Sequence, residues 1–304
     1  MNIKLFSYKA LQLLTFVSFA IFISACSNNG TKVENETSDT LDAQQSKKDD
    51  LNKAKQIFYS LPSPIETAML MKRAGAKYNQ EYLNSINNVS KYSTSKSRAL
   101  NLGVYGADLS FSSMFDQSQA SLKYLSTTKK LADDLGILNA IDKSIVSRME
   151  KNINNRDSLM TIISETFMNS NSFLKENDRA EVAAIILVGG WVEGLYIATK
   201  VAKSTTANKE IIERIIDQRL SLNTLINLLN EYKNDENVAS LIPDMNDLNT
   251  VFSKIKITSS KIEPTTNEKT KVTTLKTNTQ TKMSPEVFDE LVKKVDLFRN
   301  KIIK

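Results

Sequence analysis

Apolar residues recur every three to four positions along most of the chain between Leu51 and Ile257. That is the period of a helix with one buried face. The longest apolar run outside the N-terminus is residues 179–202, RAEVAAIILVGGWVEGLYIATKVA, where Glu193 is the sole charge between Val182 and Thr199. It is too long for one strand, so it reads as a helix. Gly190, Gly194 and Ala198 recur every fourth residue and form a smooth stripe for close approach of a second helix. The run nears the roughly twenty residues that span a bilayer, and small residues at this spacing also pack membrane helices. Glu193 would then sit near mid-membrane at a cost of a few kcal/mol. A buried core helix at the centre of the fold is the expectation.

The same pattern predicts further helices. Ser63-Pro64-Ile65-Glu66 combines a capping serine, a proline at the first helical position and a glutamate that closes a capping box. Arg98 opens RALNLGVYGADLSF, where Ala99, Gly103 and Ala107 repeat the small-residue stripe. Helices follow over Met114–Leu135 with Gly136 as C-cap, Ile141–Ile153, Leu159–Leu174, Ile211–Tyr232 and Val238–Ile257. Pro243 predicts a late start or a kink in the last of these. Residues 258–283 turn to Thr, Lys and Asn without periodic apolar positions, which predicts a linker or disordered loop. Residues 284–304 begin on Ser284-Pro285-Glu286 and carry the stripe Phe288, Leu291, Val295, Phe298 and Ile302. That helix is expected to dock on the body, the alternative being a helix offered to a partner.

The fold class is therefore all-α, a multi-helix bundle or a repeat-like helical stack of roughly eight to ten helices. Gly103-Val104-Tyr105-Gly106-Ala107 aligns with Gly194-Leu195-Tyr196-Ile197-Ala198 at an offset of 91 residues. Tyr82-Leu83 pairs with Phe173-Leu174 at the same offset, and Leu131, Leu135 and Leu138 with Leu222, Ile226 and Leu229. An internal duplication is one reading. The packing of the two small-residue helices on each other is expected with or without it.

The N-terminus has a different pattern. Lys4 and Lys9 precede the apolar run Leu11–Ile23, the layout of a signal peptide over residues 1–25. It ends in Ile23-Ser24-Ala25-Cys26, which resembles the lipobox of bacterial lipoproteins, with Ile23 where Leu is usual. The resemblance implies acylation of Cys26, the chain's only cysteine, and a lipid-anchored N-terminus. Ser27 after the cysteine implies, by likeness to Gram-negative lipoproteins, the outer membrane, with the exposed face left open. Residues 26–50 are polar and read as a flexible tether with a reach of roughly 25–30 Å. The helical body spans 51–257.

Composition narrows the chemistry. The chain has no histidine, which excludes Ser-His-Asp and Cys-His triads, the usual catalytic zinc sites and His-ligated haem. With Cys26 acylated no thiol remains. GVYGAD and GGWVEG lack the spacing of phosphate-binding loops, and the Asn152–Asp157 run lacks the glycine and closing acid of a calcium loop. The net charge is +6, and loss of Lys4 and Lys9 with the signal leaves +4. Basic and acidic residues are interleaved, so nucleic acid is not an expected partner, and neither metal nor cofactor is expected.

Carboxylates are the remaining chemistry. Asp108 and Glu193 lie on the two small-residue helices, with Asp116 two turns past Asp108. An acid pair at a pocket is one reading. The other is buried acids satisfied by a basic side chain or by Tyr105 or Tyr196. A candidate ligand pocket comprises Asp108, Asp116, Gly190, Trp191, Glu193, Gly194, Tyr105 and Tyr196.

SPIETAMLMKRAGAKY, ALNLGVYGADL and GGWVEGLY together resemble an uncharacterised family of lipoproteins found in Bacteroidetes. The likeness covers Ser63 to Ile257 and the final helix. It implies an envelope address and transfers no functional residue. The expectation is a non-catalytic partner-binding or structural lipoprotein, held to the membrane by its lipid and meeting an envelope protein. The alternatives are a carrier or sensor for a small apolar or cationic ligand near Trp191, Glu193 and Asp108, and a carboxylate-based enzyme.

Overall fold

Asn79 and Ser85 cap two short 3-10 turns, Gln80–Tyr82 and Ile86–Lys91, and lead into the first long helix. The computed structural model describes residues 74–138, 143–205, 209–259, 263–267, 272–276 and 279–304. The signal-like segment 1–25, Cys26, the tether 26–50 and the helix start at Ser63-Pro64 lie outside them. The architecture is all-α and multi-helical, as the periodicity predicts.

Helix α1, Ser95–Met114, starts on a capping box between Thr94 and Ser97. It stops at Met114 because Asp116 takes a left-handed φ of 57°, which no helix accommodates. The expected single helix from Met114 to Leu135 is therefore corrected: α2 runs Ser118–Asp134. Gly136, at φ 69°, ends it as anticipated. Helices α3 (Lys143–Lys151), α4 (Arg156–Glu176), α5 (Ala180–Ser204) and α6 (Lys209–Glu231) follow. The expected Val238–Ile257 helix is split into α7, Glu236–Ala239, and α8, Ile242–Phe252, with Pro243 in the first turn of α8.

Helix α5 is the core element. Its most apolar stretch is long enough to cross a membrane, yet 78% of that stretch is buried inside the body. α1 lies along it, and the contacts Leu100–Gly189, Gly103–Gly190 and Asp108–Glu193 advance in the same sense on both helices. The closest approach is at Gly103 and Gly189. A Cβ on Gly103 would stand 2.1 Å from the Ile186 carbonyl oxygen, and one on Gly189 would stand 1.9 Å from that of Leu100. The stripe expected at Gly190, Gly194 and Ala198 is thus displaced: Gly194 is exposed and has nothing within 4 Å of its Cβ direction. The offset of 91 would set Gly103 level with Gly194, one turn from its actual neighbour Gly190, so the packing register does not follow the sequence likeness.

The segment expected as a linker or loop, residues 258–283, carries paired strands among its described residues. β1 (Lys256–Ser259) pairs antiparallel with β4 (Thr279–Lys282), and β2 (Glu263–Asn267) pairs with β3 (Val272–Lys276). The inner pairing is offset by one residue from the outer. Threonine suits extended backbone, and in the register Thr265 stands opposite Thr274 and Thr266 opposite Thr273. These strands make at most marginal contact with any helix.

Helix α9, Pro285–Ile303, is capped by Ser284, with Pro285 at its first position. It docks on α5 and α8 as expected, burying Leu291, Val295, Phe298 and Ile302. Ion pairs rim the dock. Lys203 meets Asp289 at 3.0 Å, Lys200 meets Asp296 at 2.8 Å, Lys254 meets Glu290 at 2.6 Å, Lys294 meets Asp247 at 2.7 Å, and Lys301 meets Asp244 at 2.6 Å.

Candidate functional site: a buried carboxyl pair beneath the last helix

The glycine crossing sets the site. Because α1 and α5 touch backbone to backbone at Gly103 and Gly189, the side chains just beyond are brought together. These are Asp108 on α1 and Glu193 on α5, both with 0% exposure. Their carboxyls are close enough for each to shift the proton affinity of the other.

Glu193 is held from above by α9. Arg299 Nε donates to Glu193 Oε2 and Nη2 donates to Oε1, both at 2.8 Å. This forked pair matches two parallel N–H groups to two oxygens. Arg299 Nη2 also donates to the Tyr82 carbonyl at 3.3 Å, and the guanidinium lies 4.1 Å from the Tyr196 ring centroid. Burial works against the Arg299 charge, but the hydrogen bonds and charge of Glu193 outweigh it and raise its pKa. Glu193 is pushed above the usual carboxylate range by burial, against the pull of Arg299.

Asp108 is held from the side. Its Oδ2 accepts from the Asn84 backbone N–H at 3.1 Å. Its Oδ1 has no donor among the described residues. Burial raises its pKa well above the ordinary range, and the neighbouring Glu193 charge and hydrogen bond raise it further. Asn84 anchors the surrounding network. Its Nδ2 donates to Tyr92 Oη at 2.9 Å, and its carbonyl accepts from Tyr124 Oη at 3.1 Å. Asn101 Nδ2 donates to the Ile302 carbonyl at 2.9 Å, and Tyr92 Oη donates to the Ile303 carbonyl at 3.2 Å. Those bonds satisfy carbonyls that the end of α9 leaves open.

The residues of the candidate pocket do not share one cavity. Asp108, Glu193 and Tyr196 do come together. Tyr105 is buried beside them and donates to the Ser85 carbonyl at 2.8 Å. Trp191 faces the other way: two residues from Glu193 on a helix, it points to α6, where its Nε1 donates to Ser221 Oγ at 3.4 Å. Its side chain is only 4% exposed. Asp116 is exposed in the turn between α1 and α2, because the helix that was to carry it ends first. A Cβ on Gly190 would stand 3.4 Å from the Gly103 carbonyl oxygen, and Gly194 faces open space.

Sequence reasoning missed Arg299, Asn84 and Asn101. A signal for Arg299 was present: it stands four residues after Val295 and three before Ile302, inside the apolar stripe. A charge in such a register needs a buried partner.

Chemically the arrangement ties the last helix to the α1–α5 crossing through Arg299 and Asn101. The carboxyls are hydrogen-bonded and sealed, without the open cleft between acids that a glycosidase pair requires. Among the described residues no group of three or more His, Cys, Asp or Glu side chains could hold a metal ion. No family model, no curated protein and no solved structure matches the chain.

Proposed function

We propose that the chain is a lipid-anchored protein of the cell envelope, at the outer membrane, whose helical body binds a protein partner without catalysis. The address is supported by the basic residues, apolar run and lipobox-like Ile23-Ser24-Ala25-Cys26. The binding role is supported by one observation above all, the strand ribbon over residues 256–282. Two-stranded pairings whose described strands make at most marginal contact with the helices are marginal by themselves. Here the strands leave Ile257 42% and Val272 58% exposed at the edge of two-stranded pairings. Such an edge accepts a strand from another protein. Its lysines discourage self-pairing. The core acids favour the same reading, because Glu193 is committed to Arg299 rather than to a ligand.

The test has two arms. Metabolic labelling with a palmitate analogue should mark the wild-type chain and not Cys26→Ala. A photo-crosslinking residue at Ile257 or Val272 should trap one envelope protein in living cells, while one at exposed Leu220 on α6 (62% exposed) should not. Equal crosslinking from both faces would sink the binding role, and an unlabelled wild-type chain would sink the anchor.

A further inference from the structure

We infer that Asp108, Ser112 and Tyr78 build a buried site for one ordered water molecule, which joins α1 to the segment before it. The three side chains lie at one turn of α1. Asp108 and Ser112 stand four residues apart on that helix, the spacing that sets side chains one above the other. Phe111 shares their face. The Tyr78 ring stacks on Phe111 at 5.8 Å between centroids and tilts against Phe115 at 6.4 Å. Tyr78 therefore covers the turn that carries the acid and the hydroxyl.

Each of the three ends in a buried polar atom with no hydrogen-bond partner among the described residues: Asp108 Oδ1, Ser112 Oγ and Tyr78 Oη. Asp108 and Ser112 both have 0% exposure. Buried polar atoms are almost always paired, and one left bare keeps the full cost of losing solvent. Three at one turn mark a place where a partner binds. The neighbouring donors are committed elsewhere. Asn84 gives its backbone N–H to the other Asp108 oxygen and its side-chain amide to Tyr92 Oη. Tyr124 Oη donates to the Asn84 carbonyl, and Tyr105 Oη to that of Ser85. Other serines of α1 show what Ser112 forgoes. Ser110 and Ser113 donate to the carbonyls four residues back, at 2.9 and 2.7 Å, whereas the Ser112 hydroxyl stays available to the site. Burial raises the Tyr78 pKa, with the Ser112 hydroxyl lowering it and the Asp108 charge raising it, so the phenol keeps its hydrogen to donate.

The guest is water rather than a metal ion. Water donates twice and accepts twice, so it receives the Tyr78 and Ser112 hydroxyl hydrogens and gives one of its own to Asp108 Oδ1. A buried water takes roughly two to four such partners. Calcium and magnesium want about six or more oxygens, and zinc is held mostly by nitrogen and sulfur. Among the described residues no three His, Cys, Asp or Glu side chains converge on a metal site. Bound here, the water extends the Asn84–Asp108 network to Tyr78 and fixes the chain entering α1 at a second point.

The experiment is a high-resolution crystal structure of the full chain in detergent, with and without a rubidium soak, and oxygen-17 relaxation dispersion in solution. One water is expected within about 3.2 Å of all three oxygens, with no rubidium signal. The dispersion should lose the amplitude of one long-lived water per chain in the Tyr78→Phe/Ser112→Ala double variant. It should not change in Ser110→Ala, which removes a hydroxyl already paired. A direct Tyr78–Ser112 hydrogen bond that leaves Asp108 Oδ1 unbridged overturns the site, as does a lack of solvent density there or rubidium in place of water. Those readings come from the wild-type chain and need no variant to fold. Equal dispersion amplitudes in the wild type and a folded double variant also overturn it.

Discussion

Glycines that look alike in the sequence have opposite tasks. At Gly103 a methyl group would meet the backbone of Ile186 and Gly190 at 2.1 and 2.5 Å. Backbone cannot swing aside as a side chain can, so Gly103→Ala should destabilise by about 3 kcal/mol, the upper end for overpacking. Gly194→Ala meets nothing within 4 Å. It should stabilise by about 1 kcal/mol, the helix propensity difference. Urea denaturation midpoints of the two variants should move in opposite directions. Arg299 obeys a different rule. Arg299→Met leaves Glu193 buried beside an uncharged neighbour, and breaking such a pair costs about 3–5 kcal/mol. Adding Glu193→Leu removes the stranded charge, so the double variant should be more stable than Arg299→Met alone. A double variant as unstable as the single one would show that packing, not charge, set the cost.

Two elements differ in what removing them does. α9 covers Leu291, Val295, Phe298 and Ile302 together with the core faces they meet. Truncation before Ser284 should expose that surface, with loss of near-UV circular dichroism and gain of dye binding. Replacing 257–281 with a glycine-serine segment of equal length should leave stability within about 0.5 kcal/mol, because its described strands make at most marginal contact with the helices. Thermal melting of the two variants separates them. The elements also differed in legibility. α5 could be read from its apolar run, α2 from the Gly136 cap and α9 from Ser284-Pro285. The stop after Met114 could not, because apolar spacing continues past it and the break rests on a left-handed Asp116. The strands could not either, because their sequences lack the alternation of apolar and polar residues that marks a half-buried strand.

At the scale of the molecule, the buried pair ties stability to pH. Asp108 is held above its unfolded value, so the folded chain carries more protons than the unfolded one. Stability from this group should be full below about pH 4 and decline as pH rises through its folded value. Wild-type and Asp108→Asn denaturation curves should therefore diverge in slope against pH. A difference that is constant with pH would point to lost packing instead. Local sequence alone determined that the chain is all-helical, that α5 is the buried element and that the last helix returns to the body. Each of these depends on residues within a few turns of one another. Only the tertiary structure decided that Glu193 meets Arg299, 106 residues away, that Asp108 lies against both, and that Trp191 turns from them. A buried charge is settled by whichever partner the packing brings within reach. That reach is set by the Gly103–Gly189 crossing and the docking of α9, not by any spacing along the chain.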